Sequence, residues 1–557
     1  MSITVRTPRG TVEINPTFLD RAISYVSPVT GARRLHARLL LAMTGGYNGG
    51  SRSRIINKKW LPRGASAASD ILPDLPTLRA RSRDLVRNAP LATGAVAGVV
   101  TSVVGPGMIP QARIDRDVLT MTDAQADEWQ NKTEREWRLF AKHCDLERSL
   151  PFTRLQELAF RSALESGDSF LLFTSAARPE SPYRTKLQLI EADRVCNPNR
   201  MPDSATLQDG VELSDVGAPL AYHVSSVHPG DSHSMSKGTW ARIPAFTSSG
   251  RRAMLHMFRK LRPGQSRGVP YLAPVIETLK QLDRYTEAEI TAAVVSGMFS
   301  VFVRTPAGEE GINPLGPPSS ASGPSTTVDG DEITLGPGMI AQLGDGQDIS
   351  TVNPGRPNTA FDPFVKAILQ QIAVALELPY EVMLKHFTSS YSASRAALLE
   401  AWRFFSDRRQ WLAMSLCDPV WEAFMDEAVA SGRVAAPGYF SDPIIRQAYL
   451  GVHWIGPAKG MIDEMKEINA AKERIALGVT THAEETSQLV GGDWDSKVAR
   501  LQAENIKKAK AFPTPPSPAP GVAAQEKGSG APPPDEEEDE GDEELTDEEK
   551  QKKEDNR

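Results

Sequence analysis

At 557 residues, with 40% apolar and 24% charged side chains, the chain has the composition of a soluble globular protein of two to four domains, or of one elongated subunit, and it can bury a core unaided. Cys144, Cys196 and Cys417 are widely separated and form no Cys-x-x-Cys pair, which argues against a disulfide scaffold or structural zinc and for a reducing cytoplasm; no apolar run reaches the length of a signal peptide or membrane span, so neither is expected. The net charge of -7 is unevenly placed: residues 535–557 hold fourteen Asp/Glu and four Lys/Arg, whereas residues 1–60 hold ten Lys/Arg against Glu13 and Asp20, a pattern of flexible interaction arms and solubilising tails.

Residues 44–70, rich in Gly, Ser and Arg, read as a linker. A helix is expected from Thr77 to Arg87, broken at Asn88-Ala89-Pro90, and a small-residue helix from Leu91 to Val104, stopped by Gly105-Pro106-Gly107. Ser149 with Pro151 opens another helix, with Phe152, Leu155 and Ala159 on one face and Gly167 as its stop. Residues 170–174 and 186–190 read as strands, followed by a loop-rich β segment to about Phe258.

From Pro270 the pattern becomes helical. Leu272, Val275, Ile276, Leu279, Leu282 and Ile290 mark a long amphipathic helix to about Gly297. Phe299 to Val303 alternates like a strand, residues 305–330 are rich in Gly, Pro and Ser, and short strand signals return at 333–335 and 339–343. Asp362-Pro363 is expected to cap the next helix. A third helix, beginning near Arg395 and running to residue 431, should kink at Pro419. Its aromatic residues Trp402, Phe404, Phe405, Trp411, Trp421 and Phe424 suit a core or a subunit interface equally. Ile462 to Leu477 reads as a helix ended by Gly478, and Thr481 with Glu484 as a capping box for one more. Residues 513–557, Pro-rich and then acidic, cannot bury enough apolar surface to order themselves.

Catalytic patterns are weak. Gly264-Gln265-Ser266-Arg267-Gly268 matches the nucleophile elbow of hydrolases, with Ser266 as nucleophile, but a basic, proline-broken stretch precedes it where a buried strand is needed, so a flexible basic loop is expected. His223, His228 and His233 are evenly spaced in a Ser/Pro/Gly loop without the geometry of a metal site. No phosphate-binding loop occurs, and Gly105 to Pro110 fails the dinucleotide fingerprint. No cofactor is expected.

Four blocks are more specific: "RARSRDLVRNAPLATGAVAGVVTSVVGPGM" (79–108), "RPGQSRGVPYLAPVIETLKQLDRYTEAEITAA" (262–293), "YSASRAALLEAWRFF" (391–405) and "WIGPAKGMIDEMKEINAAKERIALGVTTHAE" (454–484). In this order, over about residues 70–510, the chain resembles phage portal proteins of the lambda type. The resemblance implies a non-enzymatic α+β portal fold in a ring of about twelve subunits, set at one capsid vertex, through which double-stranded DNA is packaged and ejected. It also implies a division into an N-terminal arm (1–70), a wing (71–269), a first stem helix (270–298), a clip (299–353), a second stem helix (354–384), a tunnel loop (385–394), a long kinked helix with a return to the wing (395–454), a crown (455–512) and the tail. The implied partners are DNA held without sequence preference, further copies of the chain, the large terminase subunit, the major capsid protein or scaffold, and a head-completion adaptor, with no membrane. The implied location is the virion, and the host cytoplasm during assembly. Two alternatives stay open at this point: a serine hydrolase using Ser266, and a capsid accessory protein binding DNA through residues 1–60.

By the same resemblance the tunnel loop faces the passing duplex. Its residues Thr388, Ser389, Ser390, Tyr391 and Ser392 are polar and uncharged, with Lys385, His386 and Arg395 flanking them. A channel liner must touch every sequence and grip none. Each Lys/Arg contact with phosphate adds salt-dependent affinity and acts as a brake when repeated around a ring, whereas hydroxyls offer single neutral hydrogen bonds that do not read bases.

Overall fold

Proline and glycine set many of the element boundaries. A computed structural model of the chain describes residues 3–7, 10–14, 18–44, 55–57, 59–231, 238–297, 301–304, 348–351, 360–388, 390–460 and 463–511. It divides into two units, residues 1–494 and 495–557. The first opens with an antiparallel hairpin, β1 (Ile3–Thr7) and β2 (Gly10–Ile14), and two helices, α1 (Phe18–Val26) and α2 (Pro28–Thr44). Regular structure thus begins ahead of the Gly/Ser/Arg-rich residues 44–70.

After the short α3 (Ala67–Ile71), Pro90 separates α4 (Leu75–Asn88) from α5 (Pro90–Val103). The missing proline N–H is harmless at a helix's first turn. Small side chains let α5 sink almost wholly into the core through Ala92, Ala95, Val96, Val99, Val100 and Val103. Strand β3 (Ile109–Ala112) leads to α6 (Asp123–Lys142), a helix absent from the sequence expectations. Its start is a complete capping box between Thr122 and Gln125, a local signal; its many charges conceal the buried stripe of Ala126, Trp129, Thr133, Trp137 and Phe140.

Helix α7 (Phe152–Ser166) ends at Gly167, whose φ of 86° suits glycine. Added Cβ atoms would collide here on both sides: at Gly268 one would lie 2.0 Å from the Gly167 carbonyl oxygen. Strands β4 (Ser169–Ser175) and β5 (Thr185–Ile190) follow, then the small β6 (Leu207–Gln208), β7 (Val211–Leu213), β8 (Pro219–Ser225), β9 (Trp240–Pro244) and β10 (Met254–Met257). They make two antiparallel sheets, β10-β4-β5 and β6-β7-β8-β9. Phe170, Ile190, Val195, Val211, Tyr222 and Val224 fill a secondary core between them.

The long helix α8 (Ile276–Gly297) is preceded by a 3-10 turn over Ala273–Val275. Strands β11 (Val301–Arg304) and β12 (Asp348–Thr351) pair antiparallel, and α9 (Phe361–Ala375) returns beside α8, with Tyr285 packed on Phe361 and Phe364. The strands expected at 333–335 and 339–343 lie outside the described residues. Helix α9 starts two residues earlier than expected: Ala360, without a side-chain cap bond, is its N-cap, and Asp362 sits in the first turn, where its charge still favours the helix dipole.

A short helix, α10 (Tyr380–Leu384), leads to α11 (Tyr391–Leu412), a π turn at Ala413–Cys417, and α12 (Asp418–Ala430). The last three follow one another without a break, and Pro419 sits directly after the π turn, a wider turn being one way a helix accommodates the hydrogen bond that proline cannot make. Phe404, Phe405, Trp421 and Phe424 are buried within the chain itself, while Trp402 and Trp411 are half-buried. The principal core is aromatic: Trp137 has Phe152, Trp421 and Phe424 each at 5.2 Å and Trp454 at 5.7 Å. The Arg409 guanidinium donates to the carbonyls of Val103 and Ser102 at the end of α5, supplying the positive charge that a helix C-terminus favours; burial lowers its pKa to about 10.

Helix α13 (Pro443–Leu450) and β13 (Val452–Ile455) bring the chain back to β3, with which β13 pairs antiparallel. Helices α14 (Glu464–Ala476) and α15 (His482–Leu489) close the unit, the latter with the expected capping box of Thr481 and Glu484. Helix α16 (Trp494–Ala511) ends in Lys508 and Lys510, again matched to the dipole. Among the described residues no helix is long and apolar enough to cross a membrane.

Candidate nucleic-acid interface

Two non-glycine residues in the left-handed region bracket α10, Glu377 at φ 56° and Lys385 at φ 55°. Such backbone is uncommon for non-glycine residues; surrounding packing holds it here. Tyr271 donates its hydroxyl proton to the Leu376 carbonyl, the Leu378 N–H reaches Ala373 O at 3.0 Å, and Met383 is buried where α10 packs on α5, α9 and α11. The loop after α10 therefore springs from a fixed base. At Lys385 the chain turns out of the helix, and His386 N–H closes the turn on Glu381 O at 3.0 Å.

Lys385, His386, Thr388, Ser390, Tyr391 and Ser392 are all exposed; Ser389 lies outside the described residues. The loop is shorter than residues 385–394, because α11 already begins at Tyr391. Ser390 is its N-cap, accepting from Ala393 N–H at 3.4 Å. Tyr391, Ser392 and Arg395 are thus helical. The first turn of α11 holds no acidic residue, so its N-terminal N–H groups and dipole present an unneutralised positive end. Arg395 is drawn away from this surface. It is half-buried, and its Nη2 pairs with Glu467 Oε1 of α14 at 3.0 Å. Within the loop Lys385 is the fixed cation, and it makes no ion pair with a described residue. Phe387, which the sequence reading passed over, is 46% exposed between His386 and Thr388.

The other candidate sites resolve differently. Residues 264–268 are no flexible loop. Gln265 and Ser266 are buried, and Arg267 is fully enclosed, donating Nε to Asp168 Oδ2 at 2.8 Å and Nη1 to Asp209 Oδ2 at 2.6 Å. Asp168 also receives Arg79 Nη2 at 2.5 Å and Gly268 N–H at 2.6 Å, and His256 Nε2 lies 2.8 Å from its Oδ1. Burial alone would raise the Asp168 pKa, but Arg267, His256 and Arg79 hold the carboxyl far below the usual carboxylate range. Ser266 Oγ bonds to no described group, although His256 lines the same cavity. The contact between nucleophile and base that defines an activated serine is missing.

His223 lies 3.4 Å from Glu212, and His233 is outside the described residues. His228 joins Glu191 and Asp193 in a trio spaced for a cation. A guanidinium already serves these carboxylates: Arg83 Nη2 is 3.2 Å from Glu191 and also pairs with Asp193.

A family model described as "Phage portal protein, lambda family" matches residues 54–409. The chain belongs to the lambda family of phage portal proteins. It is similar to "Portal protein B" of Escherichia phage lambda, 27% identical over 503 residues covering 87% of this chain and 93% of that one. To "Portal protein" of Escherichia phage N15 it is 26% identical over 492 residues, covering 85% and 91%. Among solved structures it is similar to a chain from the neck of an empty gene transfer agent particle, with a TM-score of 0.41, 13% identity, and coverage of 73% of this chain and 92% of that one. Three of the four motif blocks that carry the portal resemblance lie inside the family match: residues 79–108 contain α5, residues 262–293 hold the Arg267 anchor and most of α8, and residues 391–405 form the first part of α11.

Proposed function

We propose that the chain is the repeated subunit of a closed ring of about twelve copies, standing at one capsid vertex as the conduit for double-stranded DNA and as the docking surface for the packaging ATPase, the capsid and the tail adaptor. The subunit does no covalent chemistry; a separate terminase supplies force and cleavage. In this reading residues 71–269 are the wing, α8 and α9 the stem, 299–353 the clip, and 455–512 the crown.

Residues 385–390 face the duplex. The observation that carries this is the exposed Thr388 and Ser390 beside Lys385, which pairs with no described residue, held on the anchored α10 and followed by the uncompensated N-terminus of α11. Neutral donors and a partial positive helix end attract phosphate weakly and without regard to base.

Substituting Thr388 and Ser389 with Arg tests it while leaving the Ser390 cap in place. Rings should still form, with a mass of about ten to fourteen times 60.7 kDa. DNA packaged per particle, in an assay with the cognate ATPase, should fall at low salt and recover as salt rises, because each added phosphate contact is strengthened by counterion release. The corresponding Ala pair should package almost normally. Equal packaging by the Arg and Ala variants at every salt concentration would remove the loop from the DNA path.

A further inference from the structure

Strands β8 and β10, the loop that follows β10 and the π turn at Ala413–Cys417 enclose a cavity of about 270 Å³. An apolar cavity of about 150 Å³ can hold a benzene molecule, so this one has room for a single ring with a substituent at each end. Its walls are aromatic or apolar, with Tyr222, Phe246, Phe258, Met254 and Met414 among them, and no acidic residue belongs to the described lining.

Two polar groups inside it have bonding capacity to spare. Tyr222 is only 3% exposed, and its hydroxyl bonds to no described residue. His256 engages Asp168 Oδ1 through Nε2 at 2.8 Å. With Asp168 ionised, Nε2 carries the proton, and the ring, which burial keeps neutral, offers Nδ1 as an acceptor. The rings of Tyr222 and His256 meet edge to face with centres 5.7 Å apart, and Phe258 packs on His256 at 4.3 Å. Unlike the neighbouring Ser266 hydroxyl, which is sealed, the Tyr222 hydroxyl and His256 Nδ1 keep accessible surface.

The mouth is cationic. Arg252 and Lys260 are exposed on the lining, and neither pairs with a carboxylate of the described residues; the guanidinium lies 5.1 Å from the Phe246 ring centre and the ammonium 5.9 Å from that of Phe258. Both cations therefore stand beside the cavity's own aromatic walls.

We infer that this cavity binds a phenol that carries a carboxylate, its hydroxyl donating to His256 Nδ1 and accepting from the Tyr222 O–H, and its carboxylate held by Arg252 and Lys260. Each part of the lining selects one part of the ligand. A buried acceptor beside a buried donor is served by a single hydroxyl, aromatic walls by a flat ring, and two cations without an acidic competitor by a negative charge. A free phenolic acid presents this chemistry, and so does a tyrosine next to an acidic residue in a partner's peptide.

Calorimetric titration of the full-length protein with para-hydroxyphenylacetate, phenylacetate and an end-blocked Tyr-Glu dipeptide tests the assignment and separates the two sources. The phenolic acid should bind saturably, and phenylacetate about tenfold or more weakly, because it leaves the buried donor and acceptor unpaired. Tyr222→Phe should narrow that difference without weakening phenylacetate. Arg252→Gln combined with Lys260→Gln, both at the exposed mouth, should weaken both acids and remove the salt dependence of binding. Tighter binding of the dipeptide than of the phenolic acid would assign the site to a partner's tyrosine, and the reverse order to a free acid. Failure of both to bind at millimolar concentration, equal affinity for the two acids, or binding indifferent to the loss of Arg252 and Lys260 would overturn the inference.

Discussion

Asp168 shows how a single carboxylate can organise distant parts of a chain. It joins Arg79 of α4, His256 of β10, and Arg267 and Gly268 just ahead of α8. Asp168→Asn should destabilise the fold by about 3–5 kcal/mol, since buried guanidiniums would lose their main counter-charge; urea unfolding at pH 7 measures this. The pH dependence has a definite sign. The folded carboxyl titrates below its unfolded value, so its contribution is complete above about pH 4 and is lost as the pH falls through the folded value. His256 acts in the same direction: burial lowers its pKa despite the neighbouring Asp168, so the unfolded chain takes up that proton first, and stability declines as the pH falls below about 6.5. In Asp168→Asn the acid limb due to the carboxylate should vanish. None of this was legible beforehand. Arg267 sits in a basic, glycine-flanked stretch, and what buries it is a carboxylate about a hundred residues away.

Among the elements, those with local punctuation were readable: α5 after Pro90, α7 closed by Gly167, and α15 with its Thr481–Glu484 box. Those whose form depends on tertiary packing were not. The left-handed Glu377 and Lys385 carry no glycine to announce them, and Arg395 gave no sign that Glu467 of α14 would take its charge. The hydroxyl run was legible as a break between helices, but not the division of labour within it. Ser390 serves α11, whereas Thr388 is exposed and bonds to no described residue. Ser390→Ala should therefore cost about 1 kcal/mol of helix stability, seen as faster amide hydrogen exchange at Ala393 and Ser394. Thr388→Ala should leave that exchange unchanged.

For the molecule as a whole, the packed core and the acidic run fall in different stretches of the chain. The aromatic core around Trp137 and the small-residue α5 lie within residues 1–494, while the acidic run belongs to the other unit. Truncation after Ala511 should therefore leave ring assembly intact in native mass spectrometry, since the removed stretch lacks the apolar content to support a core. Failure of the truncated chain to assemble would assign residues 512–557 a structural part.

The π turn at Ala413–Cys417 acts as a phase shifter between two helices. One extra residue in a turn displaces everything after it by about 100° around the axis, and that displacement belongs to the arrangement in which Trp421 and Phe424 meet Trp137. The number of residues between Trp411 and Trp421 is therefore under tighter constraint than their chemistry. This stretch should drift freely among residues of similar size over evolutionary time, yet admit no insertion or deletion.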